Sequence, residues 1–391
     1  METATDRQER IAWWRQDRLN RANVAVIGAG ALGNEVLKNL ALMGVGHLHA
    51  FDLDKVELSN LSRTILFGPE SLGKPKAIVA AERTKVLNVN PIATVKGHEL
   101  DVVWDLGGGY LRRMDVVLGC LDNLEARVAI GKWCYQLGVP FIDGGIRELG
   151  GRVQLHRTGF GACMDCAVGA GERRSLRRRY ACLDVLRSYS PEEIVPTVQV
   201  SSAFVGALIC QEAIKFLQGK TVPFGHVISW FGETNDFDVL ELIRNPACLT
   251  CSLPPPALFE LPVGASDSAG ALLSALGPSW SVRLPSPFIT RLRCPRCGLG
   301  RSVLRPSHKC RDTDLFCASC DSADSIGIET QDTLAVSADN QILTMRLVDL
   351  GVPRLAALYA DNGVETRLVE LSDDAAIVGA TEEEKAETCP S

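Results

Sequence analysis

Apolar positions recur along the chain in two rhythms. Val24–Ile27 is a short unbroken apolar run that ends in glycines, the pattern of a buried strand. A helical pattern follows over Leu32–Met43 and stops at Gly44, and His47–Asp52 reads as the next strand. "DVVLGC", Asp115–Cys120, is a further central strand. It runs through "LDN", Leu121–Asn123, into a helix that reaches about Gln136 before Gly138. "VPFIDGG" gives another short strand, and Ser201–Leu217 a long helix closed by Gly219. Alternating strands and helices predict a doubly wound α/β sheet. The charge-free run Ile194–Gln211 contains Pro196, Gln199, Ser201 and Ser202, so it reads as a buried helix start and not as a membrane span.

A compositional break falls near Cys251, where "CSLPPPALFELP" reads as a linker. Three segments are expected: 1–252; a linker and the start of a second domain over 253–290; and 291–391. The last part has a short helix before it at Ala271–Leu276 and an extended "SVRLPSPFITRLRC" leading in. "QILTMRLVDLGVP" and "ETRLVEL" suggest β or mixed structure, and the acidic tail from about Asp373 is expected to fray. No internal repeat is apparent.

The chain has 391 residues, 46% of them hydrophobic, enough for a large core. A net charge of −6 argues against a general nucleic-acid binder. The opening "METATDRQER" has no apolar stretch of a secretion signal, so the expected location is cytoplasmic, with no membrane partner. Fourteen cysteines in that setting are poorly explained by disulfides. Eight of them form four CxxC pairs: Cys163/Cys166, Cys248/Cys251, Cys294/Cys297 and Cys317/Cys320. Two knuckles present four thiolates to one tetrahedral Zn²⁺, so two structural zinc ions are expected. Four thiolates leave no open coordination position, which excludes a catalytic role for such a metal. Cys310 lies between knuckles and is a possible alternative ligand; His308 reads as a surface histidine.

"VAVIGAGALG", Val24–Gly33, carries the glycine fingerprint of a dinucleotide site, with Gly28, Gly30 and Gly33 at the turn. Asp52 stands about where an acid grips a ribose. A dehydrogenase needs no more than that acid, yet Asp54, Asn60, Arg63, Lys76 and Asp122 crowd the same region. Asp54 would repel phosphates unless Mg²⁺ or another cation lies between. Asn60 and Arg63 offer an amide and a forked cation to phosphate oxygens, and Lys76 a further cation. Asp122, at the carboxyl end of a strand, is placed to hold a metal. The set suits a magnesium-bearing nucleoside triphosphate.

The succession "WWRQ", "GAGALG", "DLDKVELSNLSR", "GKPKA" and "LGCLDN", with the first knuckle pair, resembles the ThiF/MoeB and ubiquitin-activating enzyme superfamily over roughly residues 7–252. The resemblance implies a homodimeric, Rossmann-like adenylation domain that uses ATP and Mg²⁺ to activate the C-terminal glycine of a ubiquitin-like protein. It implies Asp52 on ribose, Asn60, Arg63 and Lys76 on phosphates, and Asp122 on Mg²⁺. Arg15 matches the arginine that reaches the γ-phosphate from the other subunit, with Arg10 as the alternative. Ala31 stands where relatives often have glycine.

In such enzymes a cysteine, where present, falls in the crossover segment that here reads "GERRSLRRRYACLDVLRSYSPEEIVP". Cys182 is the candidate for a thioester. Arg173, Arg174, Arg177, Arg178 and Arg179 precede it, and cations favour a thiolate. The competing reading is a buried structural cysteine beside solvated arginines. Cys120, Cys134 and Cys210 sit inside expected elements and read as core. The main expectation is adenylation, thioester formation on Cys182 and transfer to a conjugating enzyme. Sulfur-carrier adenylation for thiocarboxylate formation is the alternative. An NAD(P)-dependent oxidoreductase and a non-catalytic scaffold are alternatives of other classes.

Overall fold

The computed structural model describes residues 3–169, 197–310, 317, 319–320 and 327–373. Eight strands form its first sheet: β1 Asn23–Ile27, β2 His47–Phe51, β3 Thr94–His98, β4 Val116–Gly119, β5 Phe141–Arg147, β6 Gly150–His156, β7 His226–Phe231 and β8 Asp236–Glu241. Their order is β3-β2-β1-β4-β5-β6-β7-β8. The first five are parallel and the last three pair antiparallel. Strand order reverses between β1 and β4. In such sheets the crevice outside the carboxyl ends at this switch is where ligands bind.

Two short helices, α1 Asp6–Glu9 and α2 Gln16–Arg21, precede the sheet. Its faces are covered by α3 Ala31–Leu42, α4 Lys76–Leu87, α5 Gly108–Arg112, α6 Leu124–Leu137 and α7 Gln199–Leu217. Val36, Leu37 and Leu40 of α3 share one core with Val205, Ile209 and Ala213 of α7. Ile130 and Cys134 of α6 join Leu111 of α5 in the core on the other face. Helix α7 is apolar and long enough to cross a membrane by composition. Here it is a core helix, as its polar start suggested. The doubly wound expectation therefore stands, and the hydrophobic pattern left unread α1, α2, α4, α5, β3 and the antiparallel strands β6, β7 and β8. All five residues of β3 are only half-buried, so its apolar signal is weak.

The second sheet has the order β11-β10-β13-β14-β9, with β12 also paired to β10. Its strands are β9 Leu258–Leu261, β10 Ser281–Arg293, β11 Gly300–Pro306, β12 Gly327–Leu334, β13 Ala357–Asp361 and β14 Thr366–Leu371. The helix expected at Ala271–Leu276 is α8 Ala269–Leu276, capped by the Ser268 side chain. The stretch 253–290 thus carries β9, α8 and most of β10. "QILTMRLVDLGVP" is not a strand. It forms α9 Asn340–Thr344 and a 3₁₀ turn at Leu347–Leu350, because Ile342, Leu347 and Leu350 all point into the core of this sheet.

The two sheets meet at α5. The Gly109 N–H donates to the Leu355 carbonyl at 2.8 Å, and a Cβ at Gly109 would strike Glu370. Glu370, 1% exposed on β14, accepts from Arg112 Nε and Arg113 at 2.6 Å each. A carboxylate so buried would cost several kcal/mol without its cations. His308 corrects its surface reading: its half-buried ring stacks on Trp104 at 5.0 Å, and its Nδ1 meets the Ser286 hydroxyl at 2.9 Å.

Candidate nucleotide and metal sites

The glycine turn sits between the end of β1 and the start of α3. Gly28 has φ +96°, and a Cβ there would meet the Cys120 carbonyl oxygen at 2.6 Å. A Cβ on Gly33 would overlap the Gly28 carbonyl, so this glycine lets the helix approach the strand. Gly30 differs: a Cβ there meets nothing within 4 Å. It opens onto the crevice, where a phosphate would come close to the backbone. Ala31 is the first residue of α3.

Asp52 follows β2 directly. Its Oδ2 accepts from the Ala29 N–H at 2.7 Å and its Oδ1 from the Asp54 N–H at 2.8 Å. The carboxylate is thereby fixed against the glycine turn, and its remaining lone pairs can accept from sugar hydroxyls. Burial pushes its pKa up, with Lys76 opposing.

Lys76 begins α4, and its Nζ lies 2.8 Å from Asp54 Oδ2. Burial opposes its charge, but Asp54, Asp52 and Asp122 together hold the ammonium above its ordinary pKa. The cation that Asp54 was expected to need is therefore in part Lys76 itself. Asp54 contacts the ammonium directly, while Asp52 and Asp122 act on it through space. Asp122 is exposed in the turn after β4. Its neighbour Asn123 caps α6 by accepting from the Ala126 N–H at 2.7 Å.

Asn60 and Arg63 lie on the loop from β2 to α4. Asn60 is buried, and its Oδ1 accepts from the Glu57 N–H at 2.9 Å, so part of its amide shapes the loop. Arg63 is half-buried and donates to the Ser59 carbonyl at 2.6 Å. Asn34 holds this loop to the glycine turn, a connection the sequence pattern did not reveal. Its Nδ2 donates to the carbonyls of Ala29 and Gly30, and its Oδ1 accepts from the Leu66 N–H at 2.8 Å. The only sequence signal was an asparagine on an otherwise apolar helix face. A second unforeseen pair, Arg127 with Asp143, is buried behind the turn after β4, with Nε 3.0 Å from Oδ2.

Arg15 stands apart from this cluster. It is exposed at the start of α2, and its backbone N–H donates to Gln218 Oε1 at 2.8 Å, at the end of α7. Among the described residues no hydrogen bond or ion pair links it to Asp52, Lys76 or Asp122. Cys182 and its arginines lie outside the described residues. Burial pushes the thiols of Cys120, Cys134 and Cys210 up, in keeping with core positions.

Both cysteine tetrads assemble. Cys163, Cys166, Cys248 and Cys251 have their Sγ atoms within 4.8 Å of one another, as do Cys294, Cys297, Cys317 and Cys320. Separations of 3.6 Å for Cys163–Cys248 and 3.5 Å for Cys297–Cys317 fit the edge of about 3.8 Å expected for a tetrahedron with Zn–S bonds near 2.3 Å. Each set could hold one zinc ion. The first pins the loop after β6 to the chain after β8, and the second joins β10 to the segment before β12. Cys310 lies outside the tetrad, with its thiol toward the Pro306 carbonyl at 3.7 Å.

Comparison with known proteins places this geometry. A sulfur carrier protein adenylyltransferase from Thermus thermophilus is 33% identical over 245 residues, 60% of this chain and 84% of that protein. A ubiquitin-like modifier-activating enzyme 5 from Oryza sativa subsp. japonica is 29% identical over 255 residues, which is 59% of this chain. The chain spans only 56% of that relative's length. A crystal structure of E. coli MccB with selenomethionine-labelled MccA shares the fold at TM-score 0.52 and 21% identity, over 65% of this chain and 75% of that one. Residues 5–250 match the ThiF family, well over half of the 391 residues, and the chain belongs to that family.

Proposed function

We propose that the chain adenylates the C-terminal glycine of a ubiquitin-like protein at the expense of ATP. The observation that carries this reading is the gathering of Asp52, Asp54 and Asp122 around Lys76 beside the open face of Gly30. The partner's carboxylate oxygen bonds to the α-phosphorus, and the bond to the bridging oxygen breaks as pyrophosphate leaves. An ionised carboxylate has no proton to lose, so the protein's part is positioning and charge neutralisation. Asp52 orients the sugar, the N–H groups around Gly30 receive phosphate, and Lys76, Asn60 and Arg63 meet the phosphate oxygens. Mg²⁺, held by Asp122, would neutralise charge on the leaving pyrophosphate.

The next step in this proposal is acyl transfer. The Cys182 thiolate attacks the acyl-adenylate carbonyl, AMP leaves, and a thioester forms that a conjugating enzyme accepts. Arginines before Cys182 in the sequence favour the thiolate. A homodimer, which would bring Arg15 to the partner's nucleotide, is supported by the apolar Phe237, Val239 and Leu240 exposed on edge strand β8. A cytoplasmic setting fits reduced, metal-binding thiols.

The second reading, sulfur-carrier adenylation, draws on the 33% identical Thermus relative. An oxidoreductase leaves Lys76, Asp54 and Asp122 without a task. The test mixes the protein, ATP-Mg²⁺ and candidate carriers. Carrier-dependent ATP–pyrophosphate exchange is expected, with a thiol-sensitive adduct on non-reducing gels that Cys182→Ala abolishes. Exchange without an adduct, with a thiocarboxylate mass on the carrier in the presence of a sulfur donor, would select the second reading. No exchange with any carrier would refute both.

A further inference from the structure

We propose that the second sheet's domain is part of the nucleotide site: residues 348–355 close the pocket that receives the adenine ring. The inference rests on the adenylation reading and deepens it. A cavity of about 330 Å³ lies between the two sheets at the carboxyl ends of β2 and β3. Phe51, His98 and Tyr110 line its inner side. Phe51 directly precedes Asp52, and the His98 carbonyl accepts the Asp52 N–H at 3.2 Å. The cavity therefore starts one residue from the carboxylate that faces the sugar. A base joined to that sugar needs an apolar neighbour, and the triphosphate runs the other way, toward Gly30.

The inner side is apolar and rigid, made of Leu100 and Leu106 with buried Phe51 and Tyr110 and half-buried His98 behind them. The Phe51 and His98 rings stack at 4.6 Å with 14° between planes, and Tyr110 stands edge-on to Phe51 at 5.5 Å. The Tyr110 hydroxyl bridges His49 Nδ1 and His98 Nε2 at 2.9 Å each, so the group holds its own orientation. Burial keeps His98 uncharged at neutral pH. The opposite wall comes entirely from beyond the family match: Val348, Val352 and Leu355, with exposed Arg354 and Lys309 at the mouth. This wall is anchored to the inner side. Arg112 and Arg113, which grip Glu370, are on or beside the short helix that carries Tyr110. Its size and lining match ordinary small-ligand pockets, which are largely apolar with few polar groups.

The test titrates the full chain with ATP, AMP and inorganic tripolyphosphate by calorimetry. Val348→Trp, which fills the cavity from the second sheet's side, is expected to weaken ATP and AMP by about tenfold or more, roughly 1.4 kcal/mol. Tripolyphosphate affinity is expected to stay unchanged. Unchanged ATP affinity in a folded variant would overturn the proposal and leave the adenylation reading intact. A wild-type chain that binds no nucleotide would refute both. Photolabelling of the unaltered chain with 8-azido-ATP removes any dependence on the variant's folding. Label in the peptide that holds 348–355 is expected, and label confined to residues before 252 would overturn the proposal.

Discussion

Lys76 Nζ lies 2.8 Å from Asp54 Oδ2, and the same two residues are joined again through backbone, with the Lys76 N–H donating to the Asp54 carbonyl at 2.8 Å. The loop after β2 is thus tied to the first turn of α4, and one ammonium is held in place for a negatively charged ligand. Lys76→Ala or Asp122→Ala is expected to reduce ATP–pyrophosphate exchange by about a hundredfold or more, as loss of a preorganised charge does. Neither residue belongs to the hydrophobic core, so melting temperatures should move by only a few degrees. Variants that unfold instead of staying folded and inactive would contradict the assigned roles.

Gly30 and Gly33 should part company under the same substitution. Gly30→Ala adds a methyl to open space, so the protein should fold normally and bind nucleotide less well. Gly33→Ala drives a methyl into the Gly28 carbonyl and should destabilise by about 1–3 kcal/mol, the usual cost of overpacking. Urea unfolding and nucleotide titration of the two variants check the contrast.

These two positions also show what was legible beforehand. The glycine turn, Asp52 and the alternation of strands with helices could be read directly, because each leaves a local mark on residue type or period. Asn34, Arg127 and Asp143 could not. A single buried polar residue looks the same in sequence as an exposed one until its partners are known, and those partners are at Leu66 and across the sheet. The wall of the cavity was equally hidden, since contacts between Gly109 and Leu355 join residues far apart in the chain. The four CxxC pairs were visible, and their grouping followed the order of the chain. The reading of β or mixed structure around Leu347–Leu350 could not be narrowed to a 3₁₀ turn, because a short apolar run has no reliable period.

Metal analysis should find two zinc ions per chain. Cys248→Ser is expected to lose one and to lower stability by several kcal/mol, because the tetrad is what secures the loops after β6 and β8. Cys297→Ser should lose the other ion while carrier-dependent exchange persists. One ion or none in the purified protein, measured by mass spectrometry of the metal, would refute the assignment.

Stability should depend on pH through the buried imidazoles. Burial, reinforced by neighbouring positive charge, lowers the His49 pKa from 6.5 to about 3 and that of His98 to about 4. Below 6.5 the unfolded chain takes up protons that the folded chain refuses. Stability from these groups is full above that pH and falls as pH drops toward the folded values, by at most about 1.4 kcal/mol per pH unit for each histidine. Urea unfolding at pH 7.5, 5.5 and 4.5 should show the decline. His98→Gln should make it shallower, and an identical slope in the variant would count against this origin.

The Glu370 clamp has a consequence for how the gene can be cut. A fragment ending near residue 252 would keep every family motif yet lose Glu370, leaving Arg112 and Arg113 without their shared carboxylate and Leu111's neighbourhood without Leu355. Such a piece would expose a greasy, positively rimmed scar. Expression trials on it would report the chemistry of the wound and not that of the enzyme.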